Sequence, residues 1–109
     1  MAKLERTVNE DFNTLLSRID RGIMNGSISA SVEAGTNFSA GDVRCAVRVY
    51  ERYSMMGSNR VSLTVTLFQP GAGQPVRVSG ITSGGSQGTF LKINTWGEES
   101  FLRKLEELL

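Results

Sequence analysis

The sequence predicts an α+β domain: an antiparallel β-sheet of five or six strands with two helices packed on one of its faces, in the order β-α-β-β-β-β-β-α. Three observations carry that expectation. Apolar residues recur at helical spacing in two places, Phe12 to Ile23 and Phe101 to Leu109. Between them the side chains alternate apolar and polar with period two over several short segments. Glycine, proline and asparagine separate those segments at hairpin-like intervals. With 109 residues the chain is long enough for one core and too short for two, so residues 1–109 are read as a single domain. Neither helix can bury its apolar stripe alone, and hairpins leave one apolar sheet face, so both helices are expected on that face.

Lys3 to Val8 forms a first strand, and Asn9 caps a helix with Glu10 and Asp11 in its first turn and Phe12, Leu15, Leu16, Ile19 and Ile23 along one side. Gly22 and Asn25-Gly26 stop it. Ser27 to Glu33 switches to period two, with Ile28, Ala30 and Val32 on one face, and Ala34 to Gly41 reads as a loop. The segment Asp42 to Met56 alternates most cleanly of all. Val43, Cys45, Val47 and Val49 share one face, expected in the core; Arg44, Arg48, Tyr50 and Arg52 share the other, expected outward. Gly57-Ser58-Asn59 turns the chain into Arg60 to Phe68, with Val61, Leu63, Val65 and Leu67 inward. After the turn region Pro70 to Pro75, Val76 and Val78 point inward and Arg77, Ser79 and Ile81 outward. Ser83 to Gly88 ends regular structure, Thr89 to Asn94 resumes as a strand, and Thr95 with Glu98 has the spacing of a capping box for the terminal helix.

The net charge is only +1, but it is unevenly spread. Val43 to Trp96 holds six bases against Glu51 alone, a net of +5, while each flank comes to −2. Cys45 is the single cysteine, which excludes an internal disulfide and, on a valine face, reads as a buried thiol in a reducing compartment. No apolar run has the length of a membrane span or the look of a signal peptide, so a cytoplasmic location is expected. Histidine is absent, and with it the usual general base and commonest metal ligand. No catalytic or metal residues are assigned and no cofactor is expected; the balance leans away from an enzyme.

The runs NGSISAS (Asn25 to Ser31), DVRCAVRVYERYSMMGSNRVSL (Asp42 to Leu63), ITSGGSQG (Ile81 to Gly88) and INTWGEESFL (Ile93 to Leu102) resemble a family of short, functionally uncharacterised bacterial proteins over nearly the whole chain. The resemblance implies no activity and no site. In topology alone, the order of elements is similar to TATA-binding-protein-like and helix-grip folds, which implies architecture and not function.

Two surfaces stand out. The first is the outward sheet face, expected to gather Arg44, Arg48, Tyr50, Arg52, Arg60, Phe68, Arg77 and Phe90, with Ile81 and Lys92 beside them. Arginine forks and aromatic rings on an open sheet suit an anionic ligand or single-stranded nucleic acid. The plainer alternative is a solvated face with cross-strand pairs to Glu33 and Glu51. Its apolar members suit a protein contact better, and a homodimer is the simplest form of that. The second is the loop Ser83, Gly84, Gly85, Ser86, Gln87 and Gly88, whose amides could converge on an anion, although a flexible connection between strands explains it as well. The functional expectation is a non-enzymatic binding or interaction module that self-associates, with binding of an anionic ligand or nucleic acid as the alternative.

Overall fold

The structure is a computed structural model and describes residues 2–53, 60–84 and 91–109. The elements run β1 (Ala2–Val8), α1 (Phe12–Asn25), β2 (Ser31–Ala40), β3 (Val43–Tyr53), β4 (Arg60–Gln69), β5 (Val76–Gly84) and α2 (Leu91–Glu106). The five strands form one antiparallel sheet in the order β1-β5-β4-β3-β2. β2 to β5 are a meander, and β1 closes the far side by pairing with β5. Helix α1 therefore carries the chain from one edge of the sheet to the other.

Both helices lie on the same face, as the apolar patterning of β4 and β5 requires. Val61, Leu63, Val65 and Leu67 of β4 and Val76 and Val78 of β5 are buried against Phe12, Leu15, Ile19 and Ile23 of α1 and Phe101 and Leu105 of α2. Leu4 and Val8 complete the core from β1, and the inward hydroxyl of Thr82 is satisfied by the Ala2 backbone. Gly80 lies inward on β5, where an added Cβ would sit 2.4 Å from Leu105 Cδ2. That missing side chain is what lets α2 approach β5 closely.

Several local expectations are corrected. The cap of α1 is Asp11, not Asn9: the Asp11 carboxylate accepts from the Thr14 amide at 2.9 Å and the Thr14 hydroxyl at 3.0 Å. The apolar stripe begins at Phe12, so the capping residue directly before it wins over one three residues upstream. Ser27 to Ala30 is a turn with Ile28 fully exposed, and the strand is Ser31–Ala40, covering what reads as a loop. Ala34-Gly-Thr-Asn-Phe-Ser-Ala has little strand propensity of its own; its ladder with β3 makes it a strand. Gly41 and Asp42 form the two-residue connection, with Gly41 at φ +58°, a conformation in which a β-carbon is disfavoured.

The expected sixth strand is also replaced. Leu91 to Asn94 is the first turn of α2, so the helix starts four residues before Thr95, and Glu98 is buried within it rather than capping it. A three-residue alternation such as Leu91-Lys92-Ile93 fits either period, and the longer helical pattern that follows absorbs it. The turn Gly57-Ser58-Asn59, Met55 and Met56, Thr89 and Phe90 fall outside the described residues.

Candidate functional site

The largest correction concerns β3. Its even-numbered residues face the helices: Ala46 and Tyr50 are completely buried, and Arg44, Arg48 and Arg52 lie on the same side. The Tyr50 hydroxyl donates to Asp20 of α1, and Arg48 Nε lies 3.9 Å from the same carboxylate. Arg48 also donates to Asn37 Oδ1 at 2.9 Å and to the Val47 carbonyl at 2.9 Å. Arg44 sits 4.3 Å over the Phe12 ring and donates to Asn13 Oδ1 at 2.7 Å. Arg52 sits 4.5 Å over the Phe101 ring and donates to Ser100 Oγ at 2.9 Å.

Apolar alternation is a poor guide here because β3 lies next to the last strand, at the rim of the helix layer. An arginine there can bury its methylene stem on the sheet, stack its head on a helix aromatic and still reach the solvent margin. Tyr50 then supplies the large ring that fills the core. The arginine-rich middle of the sequence thus meets the acidic N-terminal flank inside the fold.

The face without helices carries the other residues of β3. Val43, Cys45, Val47 and Val49 lie on it, opposite Phe68, Thr66 and Thr64 of β4 and Phe38, Thr36 and Ala34 of β2. Phe38, Cys45, Phe68 and Arg77 form one continuous row across four strands. Phe38 is 63% exposed, Ile81 40%, Phe68 37% and Val43 36%. Cys45 is half-buried on this face, not sealed in the core. Charged residues ring the patch. Arg60 pairs with Glu51 at 2.6 Å and Glu33 at 3.5 Å, and Lys3 lies 3.8 Å from Glu5. A hollow of about 380 Å³ at the Phe68 end is lined by Glu5, Thr7, Thr66, Arg77 and Ser79.

The face expected to collect arginines and aromatics is therefore split by the sheet. Arg60, Phe68 and Arg77 are on the open side, whereas Arg44, Arg48, Tyr50 and Arg52 are on the helix side, and Phe90 lies outside the described residues. Of the glycine-rich loop, Ser83 and Gly84 belong to β5, with Ser83 accepting from the Ser62 hydroxyl through its carbonyl at 3.4 Å; Gly85, Ser86, Gln87 and Gly88 lie outside the described residues. Sequence reasoning missed Phe38 and the role of Val47 and Val49. The Gly41-Asp42 pair, a two-residue hairpin signal, could have revealed β2 and with it Phe38.

A family model, "Family of unknown function (DUF6054)", matches residues 1–109. The chain belongs to this family. No curated protein and no solved structure matches the DUF6054 chain. Its described residues hold no cluster of three or more acidic or cysteine side chains fit for a metal, and none of its described helices is long and apolar enough to cross a membrane.

Proposed function

We propose that the chain is a non-enzymatic interaction module whose working surface is the open sheet face and whose partner there is a second copy of itself. One observation carries the reading: on β3 the valines and the cysteine face away from the helices while three arginines face toward them. Exposed apolar patches of this kind mark contact surfaces.

The charges on the face also favour a copy of itself. Lys3, Arg60 and Arg77 are balanced by Glu5, Glu33 and Glu51, so two such faces meet without net repulsion. An apolar strip from Phe38 through β3 to Phe68, flanked by threonines and with charges at its margin, fits the usual anatomy of an interface. Five strands about 4.8 Å apart and roughly eight residues long span on the order of 600 Å² before side-chain relief, close to the ~800 Å² per partner of a stable complex. Nucleic acid asks for a positive footprint, and a neutral face does not supply one.

The test is the mass of the protein in solution, by light scattering, against a Val47→Thr/Phe68→Thr variant that keeps strand propensity and removes apolar contact. The variant is expected to form a smaller species, with association weakened at least tenfold. A monomeric parent protein, or a variant of unchanged mass, overturns the reading.

A further inference from the structure

We propose that β2 is a pairing edge for a second copy of this chain, joining two sheets antiparallel across a two-fold axis at Asn37. The proposal does not rest on the open-face reading, because it concerns backbone groups at the sheet edge rather than side chains on its face.

The two edges of the sheet differ in kind. β1 carries Lys3, Glu5 and Arg6 within seven residues, and Arg6 is tied to Glu106 of α2 at 2.5 Å. Such charges are how proteins keep an edge from pairing. β2 has ten residues, nine of them exposed, and from Ala34 to Ala40 it contains no charge and no proline. The ladder irregularity between Val32 and Ala34 ends the regular stretch on one side, and the Gly41 turn ends it on the other. What remains is seven residues with Asn37 at the centre, and beyond them no described strand takes up the outer backbone donors and acceptors.

The geometry points to a copy of the same strand. A two-fold axis normal to the sheet makes the strands antiparallel, as in all four ladders already present. Centred on Asn37, it sets Thr36 opposite Phe38 of the second copy on the open face, an aromatic and β-branched pair of the favourable type. Gly35, Asn37 and Ser39 face the other way, small or already held: Arg48 lies across Gly35, whose added Cβ would come within 3.0 Å of Arg48 Cδ, and bonds Asn37. No charge opposes a like charge. On the helix side, a hollow of about 190 Å³ lies between Phe12, Asn13 and Leu16 of α1 and Asn37, Phe38 and Ser39 of β2.

The experiment is a register-specific cross-link in a Cys45→Ser background under mild oxidation. Asn37→Cys is expected to give a disulfide-linked dimer, because residues facing each other across the axis lie about 4.5–5.5 Å apart at Cα. Ala34→Cys alone is expected to stay monomeric on a non-reducing gel, its two copies being roughly 20 Å apart, but to cross-link when mixed with Ala40→Cys. If Asn37→Cys fails to fold by circular dichroism, a mixture of Thr36→Cys and Phe38→Cys probes the same register. Absent cross-linking, or cross-linking of Ala34→Cys with itself as readily as of Asn37→Cys, overturns the proposal. Adding Val47→Thr/Phe68→Thr separates the two contacts: the cross-link is expected to persist, and its loss would assign the contact to the open face instead.

Discussion

The hydroxyl of Tyr50 on β3 donates to the carboxylate of Asp20 on α1, and through that bond the most regular strand of the sheet presents its tyrosine, not its valines, to the helix layer. The same carboxylate lies beside Arg48, so one acidic side chain of α1 holds two residues of β3 in the same orientation.

Removing the hydroxyl tests that link. Tyr50→Phe keeps the buried ring but loses the bond to a charged acceptor. Because Asp20 is partly exposed and can turn to water, the cost is expected at about 1 kcal/mol, that of an ordinary hydrogen bond and less than that of one to a sealed charge. Urea unfolding measures it; an unchanged midpoint would show that the bond does not contribute.

The pH dependence follows from the same residue. Burial first, then the hydrogen bond to Asp20 and its charge, raise the Tyr50 phenol well above its ordinary value near 10, with Arg48 opposing. The folded protein therefore holds this proton more tightly than the unfolded chain. Its contribution is complete below about pH 10 and is lost as the pH rises further, by at most about 1.4 kcal/mol per pH unit. Tyr50→Phe is expected to flatten the alkaline arm of the stability profile. An equally steep arm in that variant would place the titration elsewhere.

At the seam between β3 and α2, Arg52→Ala is expected to lower stability by about 1 kcal/mol through loss of its place on the Phe101 ring and its bond to Ser100. Arg52→Lys recovers only part of this, since an ammonium lacks the planar group that stacks. Full recovery in thermal melts would mean that charge alone matters.

Two glycines separate crowding from conformation. Gly80→Ala would press on Leu105, which is fully buried with no free direction to move, and is expected to cost about 1–3 kcal/mol. Gly22→Ala also meets a leucine, Leu108, but that residue lies past the end of α2 and is only partly buried, and alanine favours the helix. Near-neutral stability is expected at Gly22. Melting both variants side by side would contradict this account if their order were reversed.

The cap of α1 gives an acid-side counterpart. The Thr14 backbone amide, then its hydroxyl, hold the Asp11 carboxyl below its ordinary value of 3.8. Its contribution is thus present above that value and lost as the pH falls through the lowered one. Asp11→Ala is expected to lower the melting temperature by a few degrees at neutral pH, with the difference shrinking on acidification, whereas Asp11→Asn keeps most of the capping. A difference that grows toward low pH would reverse the assignment.

The amino-acid sequence by itself determined the class of this fold, the succession of strands from β3 to β5 along the chain, and the inward faces of β4 and β5, but not the order of strands in the sheet. Those strands lie mid-sheet under both helices, where apolar side chains have one place to go. It also marked Phe12 to Ile23 and Phe101 to Leu109 as the covering stripes. Only the tertiary structure decided which side of β3 meets the helices and that Ala34 to Ala40 is a strand. Near the rim of the helix layer an arginine stem with a stacked head can occupy the covered side while valines remain outside, so local alternation loses its meaning. The edge strand from Ala34 to Ala40 draws its form from the neighbour it pairs with, and outside the Gly41-Asp42 turn its own residues carry little trace of that neighbour.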